Sequence, residues 1–171
     1  MLQPAESSWI EPLVLALYRP AIQLATLLVR DYTLAQDIVQ EAFVRVWLSP
    51  RTPREMHAFR PWLYRTVVNL ARDHYRREGR WARLRFGRVA SDDPMEVAET
   101  RESDVALGLA IRRLSRREQE AVYVRFFEEA PFDEVGRIIG VRTGTARVLV
   151  HRALAKLRRQ LSVPAEQEGR A

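Results

Sequence analysis

Apolar residues recur at the three- and four-residue spacing of an α-helix along most of the chain, and no segment shows the strict alternation of a half-buried β-strand. This pattern predicts an all-α protein. Three helices are expected in the first half of the chain, at residues 9–30, 33–48 and 58–77. Four more are expected after the middle, at residues 105–113, 116–128, 132–139 and 143–161.

Helix-start signals place several of these ends. Thr33 is expected to be the N-cap of the second helix. Pro61 fits the first turn of the third helix, where its missing N–H would have no partner in any case. Ser115 and Glu118 have the S-x-x-E spacing of a capping box. A bend is expected at Pro20 in the first helix.

The first helix is apolar enough to raise the question of a membrane span. Arg19, Pro20 and Gln23 interrupt its apolar run, so an amphipathic core helix is preferred. The first thirty residues also lack the features of a signal peptide. With 47% apolar residues and no Cys, the chain is expected to be soluble and cytoplasmic, with packed cores and no membrane insertion.

Charge is distributed in blocks. Residues 51–90 hold eleven Arg against three acids, and residues 135–160 hold seven bases and no acid, within a net charge of +6. Between them, the acidic residues 91–104 lack aromatic side chains, as an interdomain linker does. We therefore expect domains at residues 1–88 and 105–162, a flexible acidic linker at 89–104 and a tail at 163–171. A GC-rich genome explains part of the preference for Arg over Lys, but not the clustering.

The segment from 132 to 161 fits a helix-turn-helix. Gly136 is small where the two helices must approach closely, and Gly140 lies at the turn, where a positive φ favours glycine. Val135, Ile139 and Val141 are spaced to close a small core, and Thr143 can cap the second helix.

A helical wheel divides the second helix of this pair into two faces. The apolar face holds Ala146, Leu149, Val150, Ala153, Leu154, Leu157 and Leu161. The other face holds Arg147, His151, Arg152, Lys156, Arg158 and Arg159. No acid is available for pairing within the helix, so a polyanion is a better partner than plain solvent. Val148 lies among the cations, either as an accidental exposed side chain or as a contact for a thymine methyl group.

The third helix, FRPWLYRTVVNLARDHYRR, divides in the same way. Its apolar face holds Phe59, Leu63, Tyr64, Val67, Val68, Leu70, Ala71 and Tyr75. The opposite face holds Trp62, Arg65, Thr66, Asn69, Arg72, Asp73 and Arg76. An aromatic ring among arginines suits single-stranded nucleic acid, which stacks on rings and pairs with cations. The alternative places Trp62 at the edge of the core.

The second helix buries Ala35, Val39, Ala42, Phe43 and Val46 and turns a different set outward. That set is Asp37, Gln40, Glu41, Val44, Arg45 and Leu48. Apolar side chains beside charges are typical of a protein-binding surface, and a simple solvated face is the alternative.

In this order, the segments DIVQEAFVRVW, FRPWLYRTVVNLARDHYRR and EVGRIIGVRTGTARVLVHRALAKLR resemble an extracytoplasmic-function sigma factor, a small two-domain class of bacterial transcription initiation factor. The resemblance covers roughly residues 9–161. It implies a region 2 helical bundle, a region 4 helix-turn-helix and no enzymatic activity or cofactor. The implied partners are core RNA polymerase (its β′ and β subunits), promoter DNA and an anti-sigma factor.

The resemblance also implies roles for individual residues. Core-polymerase binding falls to Asp37, Gln40, Glu41, Val44 and Arg45. Recognition of the melted minus-ten element falls to Trp62, Arg65, Thr66, Asn69, Arg72 and Arg76. Recognition of the minus-thirty-five element falls to Arg142, Thr143, Arg147, Val148, His151, Arg152 and Lys156.

This chain departs from the family pattern beside Arg147. The family usually has Ser and then Arg there, whereas this chain has Val148 and Leu149, which removes one hydrogen-bonding group and one cation. Arg142 stands where the family has a small apolar residue or Pro, and it can restore a phosphate contact.

Three rival functions are weighed against a sigma factor. A conventional helix-turn-helix regulator acting without polymerase leaves the basic third helix unexplained. An enzyme acting on DNA needs clustered carboxylates, a catalytic grouping or metal ligands, and His57, His74 and His151 are scattered without such spacing. A protein that only sequesters partners would leave binding to core polymerase unchanged when Asp37 and Glu41 are replaced.

Overall fold

The structure is a computed structural model that describes the backbone of residues 9–82 and 102–162 and the side chains of residues 9–77 and 105–162. Every regular element in these residues is helical, which confirms the all-α prediction. The described helices fall into two compact units, the first built from those before residue 83 and the second from most of those after residue 101. The predicted basic stretch beyond residue 82, most of the linker and the tail lie outside the described residues.

The first unit consists of three helices: α1 (Glu11–Val29), α2 (Tyr32–Leu48) and α3 (Met56–Ala82). α1 continues through Pro20 to Val29. Its C-cap residue, Arg30, has a left-handed φ of 57°, and the Arg30 N–H donates to the Thr26 carbonyl at 2.8 Å. This tight stop turns the chain into α2 after two residues. Each helix packs against the other two.

The core of the first unit is filled from all three helices. Leu24 of α1, Val39 of α2, and Phe59 and Leu63 of α3 are fully buried. The Tyr18 ring stacks on Phe43 with 6.3 Å between ring centroids, which ties α1 to α2. The faces predicted to be apolar on α2 and α3 are the buried faces.

α1 is long and apolar enough to cross a membrane by length and composition alone. Eight of its residues are nevertheless buried in the unit, including Leu13 near its start and Leu28 near its end. A helix that contributes its apolar face to a packed core passes the same length test, and the burial fits the predicted core helix.

Two predicted helix starts are wrong. The N-cap of α2 is Asp31, whose carboxylate accepts a 2.9 Å hydrogen bond from the Leu34 N–H, and Thr33 lies inside the first turn. α3 begins at Met56, so Pro61 lies inside the helix and not in its first turn. Asp and Thr are both good N-caps, and the extended backbone at Asp31 decides between them.

The described residues after 101 form α4 (Glu102–Arg112), α5 (Arg116–Val122), a π-helical turn (Tyr123–Phe127), α6 (Phe132–Ile139) and α7 (Thr143–Leu161). α6 and α7 have the predicted bounds. The capping box of Ser115 and Glu118 is confirmed. α4 begins at Glu102, three residues earlier than predicted, so the residues taken as linker include its first turn.

The predicted helix over 116–128 changes to π geometry at Tyr123. The Tyr123 and Phe127 rings stack with centroids 5.1 Å apart, and the Arg125 guanidinium donates to the Ala130 carbonyl at 3.2 Å. The π-helical turn is wider than an α-helical turn, and the hydrogen bond from Arg125 connects it to the residues that precede α6.

Buried Gln119 closes the junction between α4 and α5. Its side-chain nitrogen lies 3.0–3.1 Å from the carbonyl oxygens of Ile111, Arg112 and Leu114. The last carbonyls of a helix have no i+4 N–H to accept from, so this amide adds hydrogen bonds where the intrahelical ones end. The Ile111 carbonyl also accepts from the Leu114 N–H at 3.0 Å.

Candidate protein-binding and nucleic-acid interfaces

The outward face of α2 carries every residue predicted for protein binding. Asp37, Gln40, Glu41 and Arg45 are exposed, and Val44 is 49% exposed between them. Leu48 is 70% exposed at the end of the helix. Glu41 and Arg45 form an ion pair of 2.5 Å one helical turn apart. Such a surface pair contributes little stability, so both side chains can be redirected to a partner at small cost.

A small open cleft lies between α2 and α3, with a volume of about 110 Å³. Its walls carry the charged side chains of Asp37, Glu41, Arg45, Asp73 and Arg77 and the imidazole of His74. The sequence predicted Asp37 and Glu41 on an outward, protein-binding face of α2, but it did not bring the α3 side chains beside them. The spacing of Leu70, His74 and Arg77 along one side of α3 is the only signal that could have done so.

The outward face of α3 presents the predicted nucleic-acid residues. Arg65, Asn69 and Arg76 are exposed, while Thr66 and Arg72 are half-buried. The Thr66 hydroxyl donates to the Trp62 carbonyl at 3.0 Å. Arg76 pairs with Asp73 on the same helix, so one acid moderates this cationic face.

Trp62 is 38% exposed, so part of its surface is accessible on the outward face of α3. An indole in this position has a free area on which a base can stack.

The helix-turn-helix has the predicted glycine geometry. Gly140 has a φ of +71°, the left-handed region that favours glycine. A Cβ on Gly136 would lie 2.8 Å from the Val141 carbonyl oxygen, so the close approach also requires glycine. Val135 and Ile139 are buried and Val141 is half-buried.

The predicted cap of α7 is wrong. The N-cap position is Arg142, which makes no side-chain cap hydrogen bond, and Thr143 is the first residue of the helix.

The two faces of α7 lie largely where the wheel placed them. Ala146, Val150, Ala153 and Leu157 are buried, and Leu149 and Leu154 are half-buried. Leu161 differs from the prediction because it is 47% exposed at the end of the helix. The exposed basic residues are Arg147, His151, Arg152, Arg158 and Arg159, and Val148 is 46% exposed among them.

Phe132 at the start of α6 positions one of these cations. The Arg147 guanidinium lies 5.5 Å from the centroid of its ring, and the Arg125 guanidinium lies 5.0 Å from the same centroid. A cation over a ring face is attracted by the ring quadrupole, which limits the positions open to Arg147. No sequence signal placed Phe132 beside α7, because the contact is tertiary.

Lys156, which was predicted to lie on the nucleic-acid face, forms an ion pair with Glu118. Its ammonium nitrogen lies 2.7 Å from one carboxylate oxygen of Glu118 and 2.8 Å from the other. Glu118 is buried at the start of α5. Burial acts to raise the pKa of the Glu118 carboxyl, but hydrogen bonds from Lys156 and Ser115 outweigh it and hold that pKa below its ordinary value of 4.5.

A helix-turn-helix with an exposed cationic second helix defines an all-α DNA-binding protein. Comparison with known protein families identifies the class of this DNA-binding protein more specifically. Residues 13–81 match the model of Sigma-70 region 2, and residues 110–159 match the model of Sigma-70, region 4. These two matches cover most of the described residues.

Individual relatives agree with the family models. The chain is 30% identical over 144 residues to the RNA polymerase sigma factor SigV of Bacillus subtilis, which covers 82% of this chain and 83% of the relative. It is 32% identical to the RNA polymerase sigma factor CarQ of Myxococcus xanthus, over 78% of each chain. It is also 32% identical to the ECF RNA polymerase sigma factor SigE of Mycolicibacterium smegmatis, over 75% of this chain and 52% of the relative.

A solved structure has the same fold. The sigma factor RpoE of Bartonella quintana, in a complex with the anti-sigma factor NepR, superposes with a TM-score of 0.73 at 22% identity, covering 90% of this chain and 97% of that one.

This chain belongs to the sigma-70 family of RNA polymerase sigma factors, in the extracytoplasmic-function class, and it directs promoter-specific initiation of transcription. The resemblance read from the sequence is confirmed. A conventional regulator acting without polymerase is not favoured, because the first unit matches region 2 of a sigma factor.

Proposed function

We propose that this sigma factor binds core RNA polymerase through the outward face of α2 and promoter DNA through the outward faces of α3 and α7. Residues 1–88 act as region 2, residues 105–162 act as region 4, and residues 89–104 link them. The observation that carries DNA binding is the face of α7, where five basic side chains are exposed and the helix contains no acid.

Binding to polymerase rests on the composition of the α2 face. Asp37, Gln40 and Glu41 offer polar contacts to the coiled coil of the β′ subunit, and Val44 adds apolar area between them and Arg45. Mixed apolar and charged surfaces of this kind suit a specific but reversible protein interface.

Replacement of Asp37 and Glu41 by Ala tests this interface. Both side chains are exposed, so the fold is expected to survive the change and affinity for purified core polymerase is expected to fall by at least tenfold. Glu11→Ala removes an exposed acid from α1 and is the matched control. Unchanged affinity in the double variant would reject the α2 interface.

Melted minus-ten DNA is bound by α3. Trp62 offers a partly exposed ring for stacking, Asn69 offers a donor and an acceptor for a base edge, and Arg65, Arg72 and Arg76 hold phosphates. Thr66 lies between Trp62 and Asn69 on the same face. Extruding a base costs a few kcal/mol, which these contacts and those of polymerase offset.

Minus-thirty-five duplex is bound by α7 in the major groove. Arg142 and Thr143 at the start of α7 lie near the DNA phosphate backbone. Further along the exposed face lie Arg147, His151 and Arg152. Val148 contacts a thymine methyl group. A single helix-turn-helix gives a small interface, so the free protein binds promoter duplex weakly and binds it tightly only with polymerase.

The protein acts by binding and performs no chemistry of its own, and it works in the cytoplasm beside the polymerase. An anti-sigma factor holds it inactive until a signal releases it. Support for this partner comes from the fold it shares with RpoE, whose solved structure is a complex with the anti-sigma factor NepR.

Run-off transcription with purified core polymerase on a promoter library tests the whole function. Specific transcripts that require this chain are expected, and enriched promoters should share two sequence elements. Sequence-specific binding of the isolated monomer to duplex, with no effect on polymerase, would refute the proposal.

A further inference from the structure

Lys156 is the only Lys among 28 basic residues, and its environment differs from that of the exposed arginines on α7. Its ammonium group contacts both oxygens of the Glu118 carboxylate, at 2.7 and 2.8 Å. The Glu118 side chain is 4% exposed, whereas the Lys156 side chain is 40% exposed. The ion pair therefore lies at the edge of the packed interior of the unit.

The carboxylate that holds Lys156 is itself fixed. The backbone N–H of Ser115 donates to Glu118 Oε2 at 2.9 Å, and the Ser115 hydroxyl donates to the same oxygen at 2.8 Å. Glu118 thus completes the capping box of α5 and cannot follow Lys156 toward solvent without breaking it. Lys156 is bound to a rigid point on α5.

The contact between Lys156 and Glu118 affects the direction in which the other side chains of α7 point. Ala153 and Leu157 beside it are buried against the unit, and α5 packs against α7. Successive residues are about 100° apart around a helix. A fixed contact at Lys156 therefore acts with the buried face of α7 to restrict rotation of the helix about its axis, and with it the direction in which Arg147 and Arg152 point.

We propose that Lys156 is a positioning residue, which orients the recognition helix through Glu118 and makes no phosphate contact of its own. This rests on the proposed binding of the minus-thirty-five element by α7. The pairing replaces the DNA contact that the sequence alone suggested for Lys156, and it leaves phosphate binding to the exposed arginines.

The test measures promoter binding by the holoenzyme at several salt concentrations, from about 50 to about 200 mM. Arg152→Gln, the control, removes an exposed cation and should reduce the slope of log affinity against log salt by about 1. Lys156→Met should lower affinity at least threefold without changing that slope. It should also reduce the ratio of affinities for promoters with intact and scrambled minus-thirty-five elements, measured well below the unfolding temperature.

Two further variants separate positioning from a loss of folding. Lys156→Arg keeps a cation opposite Glu118 and should restore the affinity ratio. Glu118→Gln removes the pair from the other side, and its effect should not add to that of Lys156→Met. A slope reduced by Lys156→Met as much as by Arg152→Gln, or additive effects of the two pair variants, would overturn the proposal.

Amide hydrogen exchange of the free protein gives an independent result. Loss of the pair should speed exchange in α7 for both Lys156→Met and Glu118→Gln, and unchanged exchange would count against positioning. If exchange speeds up as expected but Arg152→Gln changes neither the salt slope nor the promoter affinity, the proposed DNA-binding surface of α7 is wrong, and the role of the ion pair in holding α7 still stands.

Discussion

A methyl group added at Gly136 is expected to destabilise the second unit, while the same methyl group added at Gly144 is expected to stabilise it. The Cβ of Gly136→Ala would lie 2.8 Å from the Val141 carbonyl oxygen and 3.3 Å from the Thr143 nitrogen, whereas ordinary contact begins at 3.4 Å. Both neighbours are main-chain atoms of the turn, so no flexible side chain can move aside.

The magnitude follows from two opposing effects. Overpacking of this kind costs about 1–3 kcal/mol. Replacing Gly by Ala inside a helix returns up to about 1 kcal/mol. Because the obstructing atoms are main-chain atoms, we expect a net loss of about 1–2 kcal/mol. At about 4–8 °C per kcal/mol for a unit of this size, Tm should fall by about 4–16 °C. Gly144 has nothing within 4 Å of a Cβ, so Gly144→Ala should gain about 0.5–1 kcal/mol.

Unfolding can be followed by far-ultraviolet circular dichroism. All four Trp residues, at positions 9, 47, 62 and 81, precede the second unit, so their fluorescence reports on the first unit as an internal control. The midpoint from circular dichroism should move in opposite directions for the two variants, and the fluorescence midpoint should move less. A gain in stability for Gly136→Ala equal to that for Gly144→Ala would refute the reasoning.

Further outcomes follow from the same contacts. Because the pKa of Glu118 is lowered in the folded protein, the ionised carboxylate stabilises the fold above its ordinary pKa of 4.5, and this stabilisation is lost as pH falls through the lower folded value. Glu118→Gln should therefore flatten the acidic part of a curve of stability against pH. An unchanged curve would contradict this prediction. Asp31→Ala should cost about 1 kcal/mol because it removes the α2 cap, whereas Thr33→Ala should change stability by less than about 0.5 kcal/mol, as chemical denaturation can measure. If Val148 contacts a thymine methyl group, replacing that thymine by deoxyuridine should weaken binding by the unchanged holoenzyme and not by its Val148→Ala variant; equal weakening in both would remove Val148 from base recognition.

The parts of the fold that local chemistry decides could be predicted from the sequence. The bounds of α6 and α7 follow from Gly140, which supplies the positive φ between two strongly patterned helices. The capping box of α5 follows from Ser115 and Glu118 three residues apart. Where two local signals compete, as Asp31 and Thr33 do before α2, spacing alone could not choose between them.

Contacts between distant residues could not be predicted in this way. Lys156 lies 38 residues from Glu118 in sequence, and its helical wheel position is equally compatible with solvent, DNA or a buried acid. Phe132 looks like a core residue until the fold brings Arg125 and Arg147 to its ring. The π-helical turn depends on stacking between Tyr123 and Phe127 and on closure at Ala130, which a helical pattern does not show.

The amide of Gln119 has a chemical consequence for ageing of the protein. Three carbonyl oxygens converge on its nitrogen, so the junction needs a hydrogen-bond donor at that one atom. Deamidation would keep the shape of the side chain but replace the donor with a negatively charged oxygen facing three carbonyl dipoles. Deamidation at this one residue would therefore remove the hydrogen bonds that attach the end of α4 to α5.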